Sequence, residues 1–468
     1  MSITHSNIDE KNISKILEKD NIRVYFIGIG GIGMSALAEL CLDKGYTVFG
    51  TDREKSEATE RLINKGAYIK YASRRENITQ ANPDITVYTL SISENNPEYR
   101  ESIFCKIPSV SRAEFLGALM KGYSRRIGVS GSHGKSTVTA MIWNILNEYG
   151  SAPTAIGGAL FPNGSSYVKG DNTHLVYEGC EYGDSFLKLY PSLQVLLNLD
   201  FDHSDYFEDI NALKHSFIAA ANLASRAVVL NADSENLLSI IDEISVPVHT
   251  FSKKSGFTYR YAPYLKGNGK YGFHLFKHEK FLENYSLNVI GEFNVENAVA
   301  AAVSADILGV PAQVSKKAIS SFSGIPRRLE LIGSRNGVSV FYDYAHHPKE
   351  IRASYRALSG AGYKNIAAIF CPHTYTRTKA LFDEFAESLG HFRVSLLTEI
   401  YPAREEAIPG VTSEELVRKI KGLGSRAFCC SEANVCELID REKIDCLVLM
   451  GAGNLDGIKE RITSEFAR

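Results

Sequence analysis

Two glycine-rich stretches hold the residues in this chain whose types and spacing could do chemistry. The stronger is Gly128-Val129-Ser130-Gly131-Ser132-His133-Gly134-Lys135-Ser136-Thr137. Positions 131–136 fit G-x-x-G-K-[ST], a close variant of the phosphate loop, whose first glycine would fall at position 129, here Val129. An apolar run over 126–130 precedes it and a helical pattern over 136–149 follows, which is the strand–loop–helix context that the motif requires. Backbone N–H groups of Gly131, Ser132, His133 and Gly134 can then cradle phosphate oxygens. Lys135 supplies a point charge to the β and γ phosphates, and the Ser136 hydroxyl can ligate Mg2+. A glycine turn with a solvated lysine is the bland alternative; the context favours a nucleoside triphosphate.

A metal at such a loop needs further oxygen ligands. Glu178 closes an expected strand over 174–178, while Asp200 closes another over 194–200 and Asp202 and His203 follow it. The carboxyl ends of parallel strands line the ligand crevice, so these residues are brought to one edge. Mg2+ prefers oxygen, and His203 taken alone reads as a solvated or hydrogen-bonding histidine.

The second stretch, Gly28-Ile29-Gly30-Gly31-Ile32-Gly33, fits G-x-G-x-x-G between an expected strand over 23–27 and a helix over 33–43. Glycine lets the backbone approach a pyrophosphate, and the helix N-terminus offers unpaired N–H groups. Asp52 ends the next strand, where such units place an acid on a ribose hydroxyl. A nicotinamide or flavin dinucleotide and another diphosphate, such as a UDP-sugar, fit the turn equally.

Apolar runs alternating with helical patterns through most of the 468 residues argue for parallel sheets with crossover helices. Expected strands lie at 46–50, 85–90, 109–110, 226–231, 338–342, 366–370, 394–398 and 446–450. Helices are expected at 211–224, 294–307, 378–389, 413–421 and 455–463. Short, tyrosine-rich alternation over 256–290 suggests antiparallel strands inside the second unit. The fold class is therefore α/β with three domains: a Rossmann-like domain over 1–122, a central phosphate-loop domain over 123–325 whose mostly parallel sheet has a small antiparallel part, and a Rossmann-like domain over 326–468.

A formal net charge of −2 leaves no basic field for a nucleic-acid backbone. No apolar run is long enough to span a bilayer, the N-terminus lacks a signal-peptide core, and eight scattered cysteines without a C-x-x-C pair read as reduced thiols. A cytoplasmic protein with no membrane insertion is expected.

Together these residues resemble the Mur ligase family, over nearly the whole chain. The stretch from Gly28 to Ser35 resembles the family's UDP-binding turn, with Asn96-Pro97-Glu98 and Arg112-Ala113-Glu114 as later landmarks of that domain. Gly131 to Thr137 is similar to its ATP loop, and Glu178-Gly179-Cys180-Glu181 and Asp200-Phe201-Asp202-His203 to its metal-binding segments. Arg327-Arg328, Asp343-Tyr344-Ala345-His346-His347-Pro348, Pro372-His373-Thr374-Tyr375-Thr376-Arg377 and Gly451-Ala452-Gly453-Asn454 look like its C-terminal signatures, in order.

The resemblance implies an ATP- and Mg2+-dependent ligase that joins the carboxylate of UDP-N-acetylmuramate to L-alanine through an acyl phosphate, as a monomer or weak homodimer. It assigns Gly28, Gly30, Gly31, Gly33, Ser35 and Asp52 to the uridine substrate. Gly131 to Thr137, Asn294, Asn297, Arg328 and Asp343 go to the nucleotide, Ser136 to the nucleotide's own Mg2+, and Glu178 with His203 to a second metal ion. His373 and Arg377 are placed at the acyl phosphate or amino acid, and Lys135, Glu178, His203, His346 and Arg377 are implied to be catalytic. Glu178 is preferred over Glu181 as the metal ligand by its spacing from Ser136 and His203. Phe293 stands where many members carry histidine, and Thr374 replaces an arginine seen in many relatives. Addition of another amino acid or a preformed peptide remains open, and an NAD-dependent oxidoreductase would leave the phosphate loop unexplained.

Overall fold

The computed structural model describes residues 8–90, 92–200, 206–335, 337–403, 405–440, 442–453 and 455–466. His203 and Asn454, both singled out above, lie outside them. Among the described residues there are three sheets. The first comprises β1 (Arg23–Ile27), β2 (Thr47–Thr51), β3 (Tyr68–Lys70), β4 (Ile85–Tyr88) and β5 (Ser109–Ser111) in the order β3-β2-β1-β4-β5, all parallel. Val24 to Ile27 and all of β4 are buried, as expected of parallel strands covered on both faces. Strand order reverses between β1 and β4, and the glycine turn leaves β1 at this switch point, where such sheets open a ligand crevice.

The second sheet runs β15-β14-β13-β12-β11-β10-β6-β9-β7-β8. Its strands are β6 (Arg125–Ser130), β7 (Thr154–Ile156), β8 (Tyr167–Val168), β9 (His174–Glu178), β10 (Leu193–Leu196), β11 (Ala227–Asn231), β12 (Val248–Ser252), β13 (Tyr259–Gly267), β14 (Lys270–Lys277) and β15 (Lys280–Ile290). The expected alternating segment is the β13–β15 meander. Its two-residue connections, Asn268-Gly269 and His278-Glu279, have positive φ at all four residues, the mirror-image turn that matches strand twist. Such short connections make the three strands antiparallel. β10 ends at Leu196, short of the expected 200, because residues 198–200 turn to bond the phosphate loop.

The third sheet is β16 (Glu330–Arg335), β17 (Val338–Asp343), β18 (Ile366–Phe370), β19 (Val394–Leu397), β20 (Ala427–Cys429) and β21 (Cys446–Met450), ordered β16-β17-β21-β18-β19-β20 with only β16 antiparallel among the described pairings. The expected single helix over 378–389 is two, Tyr375–Ala380 and Phe382–Leu389, broken at Leu381 with ψ +27°. The chain divides into two compact units, Met1–Ala262 with His274–Asn284 and Asn297–Ile319, and Pro263–Phe273 with Tyr285–Glu296 and Ser320–Arg468.

Within the first unit, a buried carboxylate joins the glycine-turn helix Ile32–Asp43 to the loop before β8. Glu39, 1% exposed, accepts from Arg61 Nε (2.9 Å), Lys65 Nζ (2.6 Å) and the Ser165 hydroxyl (2.6 Å). Burial alone would raise its pKa, but the Lys65, Ser165 and Arg61 donors outweigh it and hold the carboxyl below its ordinary 4.5. A depressed folded-state pKa contributes stability that is present above the unfolded value and lost as pH falls through the folded one. Glu39→Gln is therefore expected to destabilise the protein by about 1–3 kcal/mol at pH 7. In thermal melts the difference from the parent should shrink as pH falls below 4.5; a pH-independent difference would contradict the ionic origin.

Candidate active site

The phosphate loop leaves β6 between β9 and β10. Gly131 (φ +146°) and Gly134 (φ +86°) occupy backbone conformations that L side chains rarely adopt, and a Cβ on Gly134 would lie 2.5 Å from Asn297 Oδ1. Asn198 clamps the loop from the end of β10. Its Oδ1 accepts the His133 N–H (2.8 Å), its Nδ2 donates to the His133 carbonyl (3.0 Å), and its carbonyl accepts the Ser132 N–H (3.2 Å). The Ser132 hydroxyl donates to the Asp200 carbonyl (2.9 Å), and His133 Nε2 lies 3.7 Å from Asp200 Oδ2. Thr137 stands half-buried in the first turn of the helix Lys135–Glu148.

Lys135 folds back over the loop. Its Nζ donates to the Gly131 carbonyl (2.6 Å) and to both oxygens of Glu181 (3.0 and 3.1 Å). Burial works against the ammonium, but the carboxylates of Glu181 and Glu178 outweigh it and raise its pKa, so the lysine stays protonated. One residue on, the Ser136 hydroxyl donates to Glu178 Oε2 (2.8 Å), which also accepts the Gly158 N–H (2.8 Å). A hydroxyl and a carboxylate in contact beside a phosphate loop are the hard oxygen donors Mg2+ takes, with phosphates and waters completing its shell. Among the described residues no group of three or more His, Cys, Asp or Glu could hold a metal by itself. The residues present fit Mg2+. Sequence spacing favours Glu178 over Glu181 as a metal ligand, and an acid three residues beyond the strand end is the only sequence signal for Glu181, which the structure puts on Lys135.

At the glycine turn, Gly28 has φ +80°, and the Gly28 and Ile29 N–H groups both donate to the Thr51 carbonyl (2.9 Å each). Asp52 Oδ2 accepts the Gly30 N–H (2.7 Å), leaving a Cβ at Gly30 only 2.9 Å from that oxygen. Asp52 therefore shapes the turn as well as ending the strand. Thr51 is held from within by Glu98, fully buried, which accepts from Thr51 Oγ1 (2.6 Å), Tyr25 Oη (2.9 Å) and Asn77 Nδ2 (2.7 Å). Gly31 caps the helix Ile32–Asp43, the N–H groups of Ile32 and Gly33 donate to nothing among the described residues, and Ser35 donates to the Ile32 carbonyl (3.2 Å).

The second unit gathers His346, His373 and Arg377. His346 Nδ1 donates to the Tyr344 carbonyl (2.9 Å), which leaves Nε2 unprotonated in the neutral ring; the His346 and His373 ring centres are 6.4 Å apart. Arg377, one turn after His373 in the helix Tyr375–Ala380, sends Nη1 toward His373 Nδ1 (3.4 Å), and His373 stacks on Tyr401. Burial lowers the His346 pKa; Glu350 opposes this, and Arg377 and Arg328 reinforce it. Thr374, the expected departure, has φ +66° and caps that helix through its hydroxyl on the Arg377 N–H (3.4 Å). Asp343 is 7% exposed, its oxygens taking the Leu329 N–H (3.2 Å) and the Ser354 hydroxyl, so it braces the 327–329 loop from inside. Arg328 lies over the Tyr344 ring at 5.0 Å. Asn294 Nδ2 donates to the Ile290 carbonyl (2.8 Å) at the start of the helix Phe293–Ile307, where Phe293 is 39% exposed.

The first unit thus has one cationic phosphate cradle and one backbone-lined turn. Lys135→Ala should weaken ATP binding in calorimetry by about 10- to 100-fold, the value of a charge-assisted hydrogen bond, while UDP binding stays within about twofold. Parallel loss of both ligands would refute the separation of the two receptors.

Three family models match the chain in order: the Mur ligase family catalytic domain over residues 23–124, the Mur ligase middle domain over 129–305, and the Mur ligase glutamate ligase domain over 327–453. The chain is 38% identical over 439 residues to a UDP-N-acetylmuramate–L-alanine ligase of Clostridium tetani, covering 92% of this chain and 96% of the relative. It is 38% identical over 451 residues to the enzyme of the same name from Caldanaerobacter subterraneus subsp. tengcongensis, covering 95% and 97%. The crystal structure of the Thermotoga maritima UDP-N-acetylmuramate–alanine ligase superposes with a TM-score of 0.82 at 25% identity, covering 95% of this chain and 99% of that one. A murein peptide ligase from Psychrobacter arcticus shares the fold, with a TM-score of 0.70 at 22% identity over 96% and 99%. These matches over nearly the whole chain establish that it belongs to the Mur ligase family.

Proposed function

We propose that this protein is an ATP-dependent ligase that forms the amide between the carboxylate of UDP-N-acetylmuramate and L-alanine, in peptidoglycan precursor synthesis. The observation that carries this reading is the presence in one unit of two different anion receptors, the Lys135 loop and the Gly28–Gly33 turn. A dinucleotide oxidoreductase has no use for the first. The relatives that bear the same activity in their names match along nearly the whole chain, and their names supply the amine, L-alanine.

A carboxylate is a poor electrophile, so its oxygen attacks the γ-phosphorus of ATP. The bond from phosphorus to the ADP oxygen breaks, leaving an acyl phosphate. The alanine nitrogen then adds to the acyl carbon, loses a proton, and phosphate departs. Two like charges brought to 4 Å at an effective dielectric near 20 repel by about 4 kcal/mol, roughly a thousandfold in rate. Lys135, kept protonated by Glu181, offsets that repulsion, and the loop N–H groups align the triphosphate. Mg2+, held by oxygens of Ser136 and Glu178, would supply further positive charge to the phosphates. Asn294 and Asn297 are assigned to the nucleotide base, Arg328 to its phosphates with Asp343 behind it, and His373 and Arg377 to the alanine carboxylate. His346, neutral with a free Nε2, is suited to take the amine proton. No described helix is long and apolar enough to cross a membrane, and a cytoplasmic location is part of the same proposal.

Phosphate release from ATP is expected only with UDP-N-acetylmuramate and an amino acid together, L-alanine ahead of glycine, L-serine and a tripeptide. Preference for another amine reassigns the acceptor, and no ATP cleavage ends the ligase reading. Because burial lowers the His346 pKa, the base is lost only when pH falls below its ordinary 6.5. The acid limb of kcat should lie below that value and disappear from a slower His346→Gln enzyme; an unchanged limb would remove His346 from the proton path.

A further inference from the structure

Arg112 is the basic residue among the first domain's later landmarks, and the mechanism above gives it no task. It opens the helix Arg112–Leu119 directly after β5, fixed there by a reciprocal cap in which Ser111 and Glu114 bond each other's backbone N–H groups. The residue is half-buried, and no hydrogen bond or ion pair to its guanidinium occurs among the described residues. A guanidinium without such a partner is suited to an anionic ligand.

Its surroundings say which one. A Cβ on Gly33 would lie 3.1 Å from Arg112 Cδ and Nη1, so the guanidinium rests on the last glycine of the diphosphate turn. The rest of its helix is pressed against the segment that follows Glu181, so closely that a Cβ on Gly117 would meet the Lys188 carbonyl oxygen at 2.1 Å. The diphosphate already has donors at the turn, the free N–H groups of Ile32 and Gly33. The substrate's carboxylate has none there, and it must travel from the turn to the loop.

We propose that Arg112 grips the reacting carboxylate of the uridine-sugar substrate, holding it between the glycine turn and the phosphate loop until it is phosphorylated; this rests on the ligase reading above. The planar fork matches a carboxylate bidentately, neutralises its charge on the approach to ATP, and exchanges no proton. The geometry makes Arg112 selective for the acid over a sugar nucleotide without it.

The test compares UDP-N-acetylmuramate with UDP-N-acetylglucosamine, which shares the diphosphate and lacks the carboxylate, by calorimetry on the full chain. Arg112→Ala should weaken the first by about 10- to 100-fold and leave the second within about twofold. Arg112→Lys, which keeps the charge without the fork, should fall between, with kcat reduced in both variants and ATP affinity unchanged. Equal loss for both sugar nucleotides would transfer Arg112 to the diphosphate or to folding and overturn the proposal. So would full retention of both. Failure of the unmodified chain to bind UDP-N-acetylmuramate would sink the ligase reading and this proposal together, whereas binding that survives Arg112→Ala sinks only the latter.

Discussion

The constraint behind this structure is electrostatic: two anions that repel each other have to be held still and close. Backbone N–H groups and a few fixed cations do this at little cost, because they are oriented before any ligand arrives. Glycines at the ends of β1 and β6 bring the backbone to the ligand, and the helices that follow present their unpaired N–H groups. Most other features of the two turns keep those groups in place. Thr51 and Asp52 hold one turn, and Asn198 holds the other.

Lys135 shows how a cation is kept ready. Left alone in a buried site, an ammonium tends to lose its proton; beside Glu181 it cannot. The same carboxylate limits where the lysine can point, so Glu181 acts on both charge and position. Ser136 and Glu178 form a second, adjacent pair whose oxygens are already in contact. Two neighbouring residues of the loop are thus each matched to one acid from the segment 178–181, and the acids are not interchangeable.

The second unit solves a different problem. Its histidines His346 and His373 hang from loops at the carboxyl ends of β17 and β18, with Arg377 in the short helix after His373, and Arg327 ties the 327 and 451–453 loops by donating to the Gly451 and Gly453 carbonyls (3.2 Å each). Asp343, expected to meet the nucleotide, spends both oxygens inside the fold. Its contribution to a ligand passes through the loop it supports.

Local spacing alone determined a good deal. Strands that are buried on both faces read as unbroken apolar runs, so β1, β9, β18 and β21 were legible to the residue, and the glycine loops announced themselves between strand and helix. Short edge strands such as β3 and β20 were missed because three residues, partly exposed, carry no periodicity. The break at Leu381 was hidden because helical spacing continues across it. What only the tertiary structure decided was which acid meets which base. Glu178 and Glu181 look alike in sequence, and Arg112 lies some eighty residues from the turn it touches; their partners depend on β9 lying beside β6 and on β5 ending near β1's turn, and no one-dimensional spacing encodes those distances.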